Sequence, residues 1–166
     1  TIAFLSWLGR HRISEESDVI DLEATPQKID PFLPHLVISP SSVLSNWKRE
    51  FETFAPHLHV VKYHGSMEER SRLQEELRRC LPGRGSTPPD VILAPVTYFQ
   101  KEKSDDRSFL RKFKYEYLVV DEAHLLKNAR GTRYKSLDKF SSQHRLLLTG
   151  TPVQNSPQEL LSLLCF

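Results

Sequence analysis

Two adjacent carboxylates follow an apolar run in the second half of the sequence. The segment Leu118-Val-Val-Asp-Glu-Ala-His124 ends its apolar part at Asp121 and Glu122. In an open parallel sheet, ligands bind beside the carboxyl ends of the strands, so we expect these acids to face such a crevice. Phosphoryl transfer needs a carboxylate near Mg²⁺ and a group that orients the attacking water. Asp121 suits the first role and Glu122 the second, although an acidic turn supporting a helix N-terminus would contain the same residues.

A second polar segment lies at the end of the next apolar run. The segment Leu147-Leu-Thr-Gly-Thr-Pro-Val-Gln-Asn155 carries two hydroxyls, a glycine and a proline. On its own it could be an ordinary Ser/Thr turn. At the end of a neighbouring strand it could also hydrogen-bond to Asp121–His124 across the crevice. The combination of Asp-Glu-Ala-His with Thr-Gly-Thr-Pro, each at a strand end, is much more specific than either segment alone.

The apolar runs that must position these residues alternate with amphipathic segments. Short runs rich in β-branched residues predict five buried strands, at His35–Ser39, His59–Tyr63, Asp90–Ala94, Tyr115–Val120 and His144–Leu148. Helices are predicted near Thr1–Leu8, around Leu44–Phe54, and over Met67–Cys80, Asp105–Lys114 and Thr132–Phe140. Strands that alternate with helices predict an α/β fold with a parallel sheet and helices on both of its faces.

Two helices carry further local signals. Leu44, Trp47, Phe51 and Phe54 recur at spacings of three and four, which predicts one apolar face and makes Trp47 a core residue. Ser66, followed by Glu69 three residues later, predicts a capping box at the start of the next helix.

Composition and charge limit the class of protein. Hydrophobic residues make up 39% of the 166 residues and charged residues 27%, which argues against disorder, and no apolar run is long enough to predict a membrane span. The window from Lys127 to Arg145 holds six basic residues and one acid, as suits a polyanionic partner or a solvated helix face. Residues 9–34 are acidic and contain three prolines, which predicts a surface insertion or loop.

Taken together, these strings resemble a known protein family. Asp121–Asn128 and Leu147–Asn155 are similar to the second and third motifs of superfamily-two helicases, in the form found in SWI/SNF-related chromatin-remodelling ATPases. His35–Glu50 resembles the motif Ia region of that family. Tyr63–Arg70 and Ser104–Arg111 are similar to its SMARCAD-type branch in particular.

The resemblance implies a three-layer RecA-like fold, the first lobe of a two-lobe helicase motor that uses ATP and Mg²⁺. It implies that Asp121 binds Mg²⁺, that Glu122 activates water, and that His124 links the nucleotide site to Thr149 and Thr151. The other residues implied to couple hydrolysis to DNA movement are Gly150, Gln154 and Asn155. Those implied to contact DNA are Pro40, Ser41, Ser42, Thr97, Tyr98, Lys127 and Asn128, although Pro95 and Val96 depart from the family pattern beside Thr97.

The phosphate-binding string Gly-x-x-x-x-Gly-Lys-Ser/Thr does not occur in the sequence. Both ends of the sequence fall within apolar helical patterns, so we expect residues 1–166 to be a partial lobe. The phosphate loop and the second lobe would be missing from it, and we therefore expect residues 1–166 alone to hydrolyse little ATP. The resemblance implies a parent that is a nuclear ATPase moving on duplex DNA and nucleosomes, with the second lobe of the same chain as partner and no membrane. Two alternatives are a non-catalytic DNA- or protein-binding module and a DEAH-type RNA helicase, which Lys127-Asn128 and Asn46-Trp-Lys-Arg-Glu50 disfavour.

Overall fold

A computed structural model describes residues 1–8, 33–81, 85–100, 104–126, 131–150 and 165–166. Within them, five parallel strands form one sheet in the order β2-β3-β1-β4-β5. The strands are β1 (His35–Ser39), β2 (Val60–Lys62), β3 (Val91–Pro95), β4 (Tyr115–Val120) and β5 (Ser142–Leu147). The predicted parallel sheet is therefore confirmed, with the bounds of β1 and β4 as the sequence pattern gives them. The predicted insertion at residues 9–34 lies almost entirely outside the described residues.

Helices cover both faces of the sheet. The described helices are α1 (residues 2–8), α2 (Leu44–Phe54), α3 (Met67–Arg78), α4 (Asp105–Leu110) and α5 (Thr132–Asp138). Three short 3-10 turns follow β1, β3 and β4, at Ser41–Val43, Val96–Phe99 and Ala123–Leu126. None of the helices in the described ranges has the length and apolar content needed to cross a membrane.

Alternation along the strands divides the core into two layers. Val37, Leu93 and Val119 pack in one cluster with Leu5 of α1 and with Leu44 and Phe51 of α2. Their strand neighbours pack in a second cluster with side chains from α3, α4 and α5, among them Leu36, Ile38, Ile92, Leu118, Val120, Leu77, Phe109 and Leu137. Because successive strand residues point to opposite faces, each central strand is buried on both sides. The predicted three-layer α/β fold is confirmed.

Three predicted helix ends are too long by two to four residues. Helix α3 ends at Arg78, not Cys80; α4 ends at Leu110, not Lys114; and α5 ends at Asp138, not Phe140. In each case the chain continues in a tighter turn closed by i→i+3 hydrogen bonds, Cys80 N to Leu77 O, Lys112 N to Phe109 O and Phe140 N to Leu137 O. Such turns satisfy carbonyl groups at a helix end, and their residues follow the same apolar pattern as the helix.

The apolar face of α2 also differs from the pattern at its end. Phe54 was predicted to pack with Leu44 and Phe51, but 64% of its surface is exposed. The helix ends at Phe54, and the next residue, Ala55, is fully buried in its place. The capping box at Ser66 and Glu69 is confirmed, because each side chain accepts a hydrogen bond from the other residue's backbone N–H.

A polar network ties α4 to α3 and to the end of β2. Asp106 Oδ1 accepts hydrogen bonds from Tyr63 Oη at 2.6 Å and from Arg70 Nε at 3.1 Å. Gln74 Nε2 donates to Tyr63 Oη at 2.6 Å, and Arg70 Nη1 donates to the Gly65 carbonyl at 2.7 Å. Burial, together with the hydrogen bond to Asp106, raises the pKa of the Tyr63 phenol well above its usual value, so the phenol stays protonated as a donor.

Replacing Asp106 with alanine is expected to lower the free energy of unfolding by about 2 kcal/mol. The change removes the two hydrogen bonds that the carboxylate accepts, from Tyr63 and Arg70, and leaves the partly buried Arg70 without its ion-pair partner. Urea denaturation of both proteins measures the difference. The matched control is Asp105→Ala, in the same first turn of α4 but exposed, which should cost less than about 1 kcal/mol. Equal losses in the two variants would contradict the importance of the network.

Candidate functional site

The sheet brings the predicted site residues to one edge. Ser39 at the end of β1 lies opposite Pro95, Ile38 lies opposite Val120, and Val120 lies opposite Leu147. Because all strands run in the same direction, the segments that follow β1, β3, β4 and β5 leave the sheet side by side. These segments contain Pro40–Val43, Val96–Phe99, Asp121–His124 and Thr149–Gly150.

Asp121 is held in a fixed orientation directly after β4. Its backbone N–H donates to the Ile38 carbonyl at 2.8 Å, which continues the pairing of β4 with β1. Its Oδ1 accepts from the Glu122 backbone N–H at 2.9 Å, and its Oδ2 accepts from Trp47 Nε1 at 2.9 Å. A carboxylate oxygen has about two acceptor positions, so each oxygen keeps capacity for a cation. The carboxylate is thus oriented and still able to ligate.

Glu122 has a backbone conformation that is rare for its type. Its φ angle is 54°, the only positive value for a non-glycine residue in the described part of the chain. The left-handed region costs an ordinary L-residue about 1–2 kcal/mol. The next residue is fixed by a hydrogen bond from the Ala123 backbone N–H to the Leu148 carbonyl, at 2.7 Å. A residue kept in such a conformation by its surroundings is often part of a functional site.

His124 lies beside the second carboxylate. Its Nδ1 is 3.0 Å from Glu122 Oε2, and both side chains are partly exposed. His124 belongs to the 3-10 turn Ala123–Leu126, whose residues Ala123 and Leu126 are buried. The turn therefore anchors His124 through its neighbours and leaves Glu122 and His124 facing the crevice edge together.

Two backbone hydrogen bonds join the end of β5 to this turn. Leu148 N–H donates to the Val120 carbonyl at 2.8 Å, and the Leu148 carbonyl accepts from Ala123 at 2.7 Å. Thr149 and Gly150, both exposed, follow immediately. The expected proximity of the acidic turn and the hydroxyl-bearing segment is therefore present for these residues. The other predicted residues of this region, Thr151, Gln154, Asn155, Lys127 and Asn128, lie outside the described residues.

The segment after β1 leads into a helix, as predicted. Pro40 is partly buried, and Ser41 and Ser42 are exposed in the 3-10 turn that precedes α2. No side-chain hydrogen bond caps this turn. The first backbone N–H groups of a helix and its dipole favour an anion such as a phosphate. The positively charged side chain of Lys62, at the end of β2, lies beside the start of α2, where its Nζ donates to Ser45 Oγ at 3.2 Å. Sequence reasoning missed Lys62, whose only signal is its place at a strand end.

The two predicted residues in the segment after β3 differ in exposure. Thr97 is exposed. Tyr98 is half-buried, with its ring in edge contact with Tyr63 at 5.8 Å between centroids and beneath the guanidinium of Arg70 at 5.5 Å. The hydroxyl oxygen of Tyr98 has no exposed surface. The contact of Thr97 and Tyr98 with DNA stays a prediction.

Trp47 takes a position that the apolar pattern did not predict. It packs against the α1–α2 core cluster and lies 6.1 Å from the Phe51 ring, but it is only partly buried. Its indole N–H reaches Asp121, which makes it part of the site. Spacing in a sequence identifies the side of the helix on which a residue lies, but not the polar group that it meets there.

The basic window does not form a single open face in the described residues. Arg145 Nη1 lies 3.0 Å from Asp138 Oδ1, and its guanidinium stacks at 4.6 Å from the centroid of Phe166. The charge of Arg145 is therefore engaged within the fold. Lys127 and Arg130 lie outside the described residues, whereas Arg133, Lys135 and Lys139 follow in α5 and its C-terminus.

The donor set at this edge suits one kind of metal. The described residues contain no cluster of three or more His, Cys, Asp or Glu side chains able to enclose an ion. Mg²⁺ in nucleotide sites uses one or two carboxylates together with phosphate oxygens and waters. A single oriented Asp121 with acceptor capacity on both oxygens fits that requirement.

Comparison with known families and proteins gives a consistent result. A family model described as "SNF2-related domain" matches residues 1–166. The chain is 49% identical over 132 residues to Chromodomain-helicase-DNA-binding protein 1-like of Mus musculus, which covers 80% of this chain and 14% of that protein. It is 43% identical over 154 residues to ATP-dependent helicase FUN30 of Saccharomyces cerevisiae, covering 93% of this chain and 13% of that protein. The chain thus spans less than a sixth of either relative.

Solved structures include a similar fold. The Sulfolobus solfataricus SWI2/SNF2 ATPase core in complex with dsDNA matches with a TM-score of 0.61 and 33% identity. The match covers 82% of this chain and 25% of the Sulfolobus chain. The sequence-based resemblance to SWI/SNF-related ATPases is therefore confirmed, and the FUN30 match agrees with the SMARCAD-type branch.

The left-handed conformation of Glu122 gives a stability prediction. Glu122→Asn should leave the free energy of unfolding unchanged or raise it by up to about 1 kcal/mol, because asparagine tolerates this region. Glu122→Val should lower it by about 1–2 kcal/mol, because a β-branched side chain clashes there. Urea denaturation of the two variants and the wild type measures the effects. A valine variant as stable as the wild type would show that the turn does not hold this conformation in solution.

Proposed function

Because this chain belongs to the SNF2-related domain family, we propose that it forms part of the first RecA-like lobe of an ATP-driven motor that moves on duplex DNA. The observation that carries the proposal is a pair of backbone hydrogen bonds at Leu148, whose N–H donates to the Val120 carbonyl and whose carbonyl accepts from the Ala123 N–H. These bonds hold the acidic turn and the start of the Thr-Gly-Thr-Pro segment at one edge of the sheet. An acidic turn that only supported a helix would not need that second segment beside it.

The proposed nucleotide chemistry divides between neighbouring residues. Asp121 would hold Mg²⁺, which when bound with ATP neutralises charge on the phosphates. Glu122 would orient the attacking water by accepting its hydrogen bond. His124, 3.0 Å from Glu122, would keep that carboxylate turned toward the water and connect it to Thr149. The strained turn at Glu122 favours such a fixed placement.

The proposed DNA contacts lie along the same edge. Ser41 and Ser42, with Pro40, would bind backbone phosphate at the start of α2, and Thr97 and Tyr98 would add a contact after β3. Lys127 and Asn128 follow the acidic turn in sequence, and we propose that they extend this surface. The similarity to a SWI2/SNF2 core in complex with dsDNA supports duplex DNA as the ligand.

Coupling between the two sites would depend on the segment after β5. Thr149 and Gly150 begin it, and we propose that Thr151, Gln154 and Asn155 complete it. The phosphate loop and the second lobe with its arginine fingers would come from other parts of a longer protein, consistent with the greater length of the relatives. The names of these relatives, a chromodomain helicase that binds DNA and an ATP-dependent helicase, support an ATP-driven protein of the helicase type. We propose that the longer protein acts on nucleosomes in the nucleus.

Glu122→Gln in the full-length protein tests the proposed chemistry. The amide keeps the shape of the side chain but is a poor acceptor for a water proton, so phosphate release should fall by at least about 10²-fold with nucleotide binding retained. Phosphate release is measured with and without duplex DNA, and nucleotide binding by fluorescence titration. The control is Glu52→Gln, an exposed acid of α2. A wild type without DNA-stimulated release would favour the non-catalytic alternative, and RNA-only stimulation would favour an RNA helicase.

The double variant Ser41→Ala and Ser42→Ala tests the proposed DNA contact. Loss of two hydroxyl groups should weaken duplex binding by about fivefold or more, because each hydrogen bond contributes roughly 0.5–1.5 kcal/mol. The slope of affinity against salt concentration should stay the same, because hydroxyls release no counterions. DNA-independent hydrolysis should change little. Ser71→Ala, on an exposed position of α3, serves as control, and an unaltered affinity in the double variant would contradict the contact.

A further inference from the structure

One polar contact joins the helix after β1 to the carboxylate after β4. The indole Nε1 of Trp47 donates to Asp121 Oδ2 at 2.9 Å, across 74 positions of sequence. Of the two oxygens of Asp121, Oδ1 is already bonded to the adjacent backbone, so Trp47 supplies the long-range constraint on the other. The rotation of a carboxylate about its last torsion is broad, and a donor on each oxygen fixes it.

The chemistry of an indole suits this position. It is a donor only, and it carries no charge. A lysine or arginine at the same place would pair with the carboxylate and weaken its attraction for a cation, whereas an indole orients Asp121 and leaves its negative charge available.

Simple satisfaction of a buried donor does not account for the contact. Trp47 is only partly buried, so its N–H could otherwise bond to water. The ring already packs against the apolar cluster that holds Phe51 and Leu44. Packing therefore explains the position of the ring, and the hydrogen bond is an additional constraint directed at Asp121.

The place of Trp47 in α2 connects this constraint to the turn before the helix. Trp47 is the fourth residue of α2, and the 3-10 turn Ser41–Val43 runs directly into it. The distance from Ser42 to Trp47 along the axis is about 8 Å, which a helix spans as a rigid rod. A displacement of the turn is therefore carried to the indole and to Asp121 Oδ2.

We propose that Trp47 is a positioning residue. It sets the orientation of the Asp121 carboxylate, and it transmits to that carboxylate the movement of the turn Pro40–Val43 when the turn binds a ligand. This inference rests on the proposed function, because it assigns Mg²⁺ to Asp121 and DNA to the turn. It adds a physical link between the two sites that is separate from the segment after β5. Through this link, a ligand on the turn changes how well Asp121 is placed to bind a cation.

The test is Trp47→Phe in the full-length protein, which keeps an aromatic ring for packing and removes the N–H. The first readout is equilibrium binding of a fluorescent ADP analogue with Mg²⁺ and with EDTA. Loss of a group that orients a metal ligand costs about tenfold or more in metal affinity, so the gain in nucleotide affinity from Mg²⁺ should fall about tenfold. The second readout is the ratio of phosphate release with and without duplex DNA, which should fall while DNA affinity is retained.

The matched control is Phe51→Leu, which disturbs the packing of the same helix and leaves the indole N–H in place. It should lower the melting temperature without changing the gain from Mg²⁺. An equal effect of the two variants on that gain, or no effect of Trp47→Phe, would overturn the positioning role. A wild type without DNA-stimulated release would instead overturn the proposed function, so the two failures are distinguishable.

Discussion

The parallel pairing of β1 with both of its neighbours is the constraint on which the rest of this structure depends. Strand β1 is buried along its whole length and is bonded to β3 on one side and to β4 on the other. Because the three strands share one direction and one register, the residues that follow them leave the sheet at a common level. The polar turns after these strands are brought together by main-chain geometry, before any side chain interacts.

Hydrogen bonds to the same sheet stabilise the strained backbone of the acidic turn. Glu122 occupies the left-handed region, and the hydrogen bonds of Asp121 to Ile38 and of Ala123 to Leu148 lie on either side of it. Each of these bonds contributes roughly 0.5–1.5 kcal/mol, comparable to the cost of the conformation. The buried residues Val120 and Ala123 then fix the turn against the core. Strain at the acidic turn is thus offset by a rigid sheet rather than by local flexibility.

The order of the elements and the location of the candidate site could be predicted from the sequence, because both depend on pattern. Runs such as His35–Ser39 and Tyr115–Val120 are buried on both faces, so their bounds coincide with a change in composition. Helix ends such as Leu110 could not be predicted, since a final i→i+3 turn has the composition of the helix.

The contacts between side chains of distant segments were the least predictable part of the site. The spacing of Trp47 indicates its face of α2, but its partner Asp121 is set by the strand register of a distant segment. Tyr98 follows β3 in the sequence, and its ring contacts Tyr63, which follows β2, and Arg70 of α3. These contacts are three-dimensional consequences of packing, and no local spacing encodes them.

The shortness of β2 has a consequence for how the chain behaves in crowded solution. An outermost strand offers unpaired N–H and C=O groups that can recruit a strand from another molecule. Within the described residues, the outermost strand on one side of the sheet is only Val60–Lys62, and its last residue is a lysine. A ladder of this length gives a foreign strand few bonds, and repulsion between lysines opposes self-association there. Short length and like charge together therefore disfavour the pairing of β2 with a strand of another molecule.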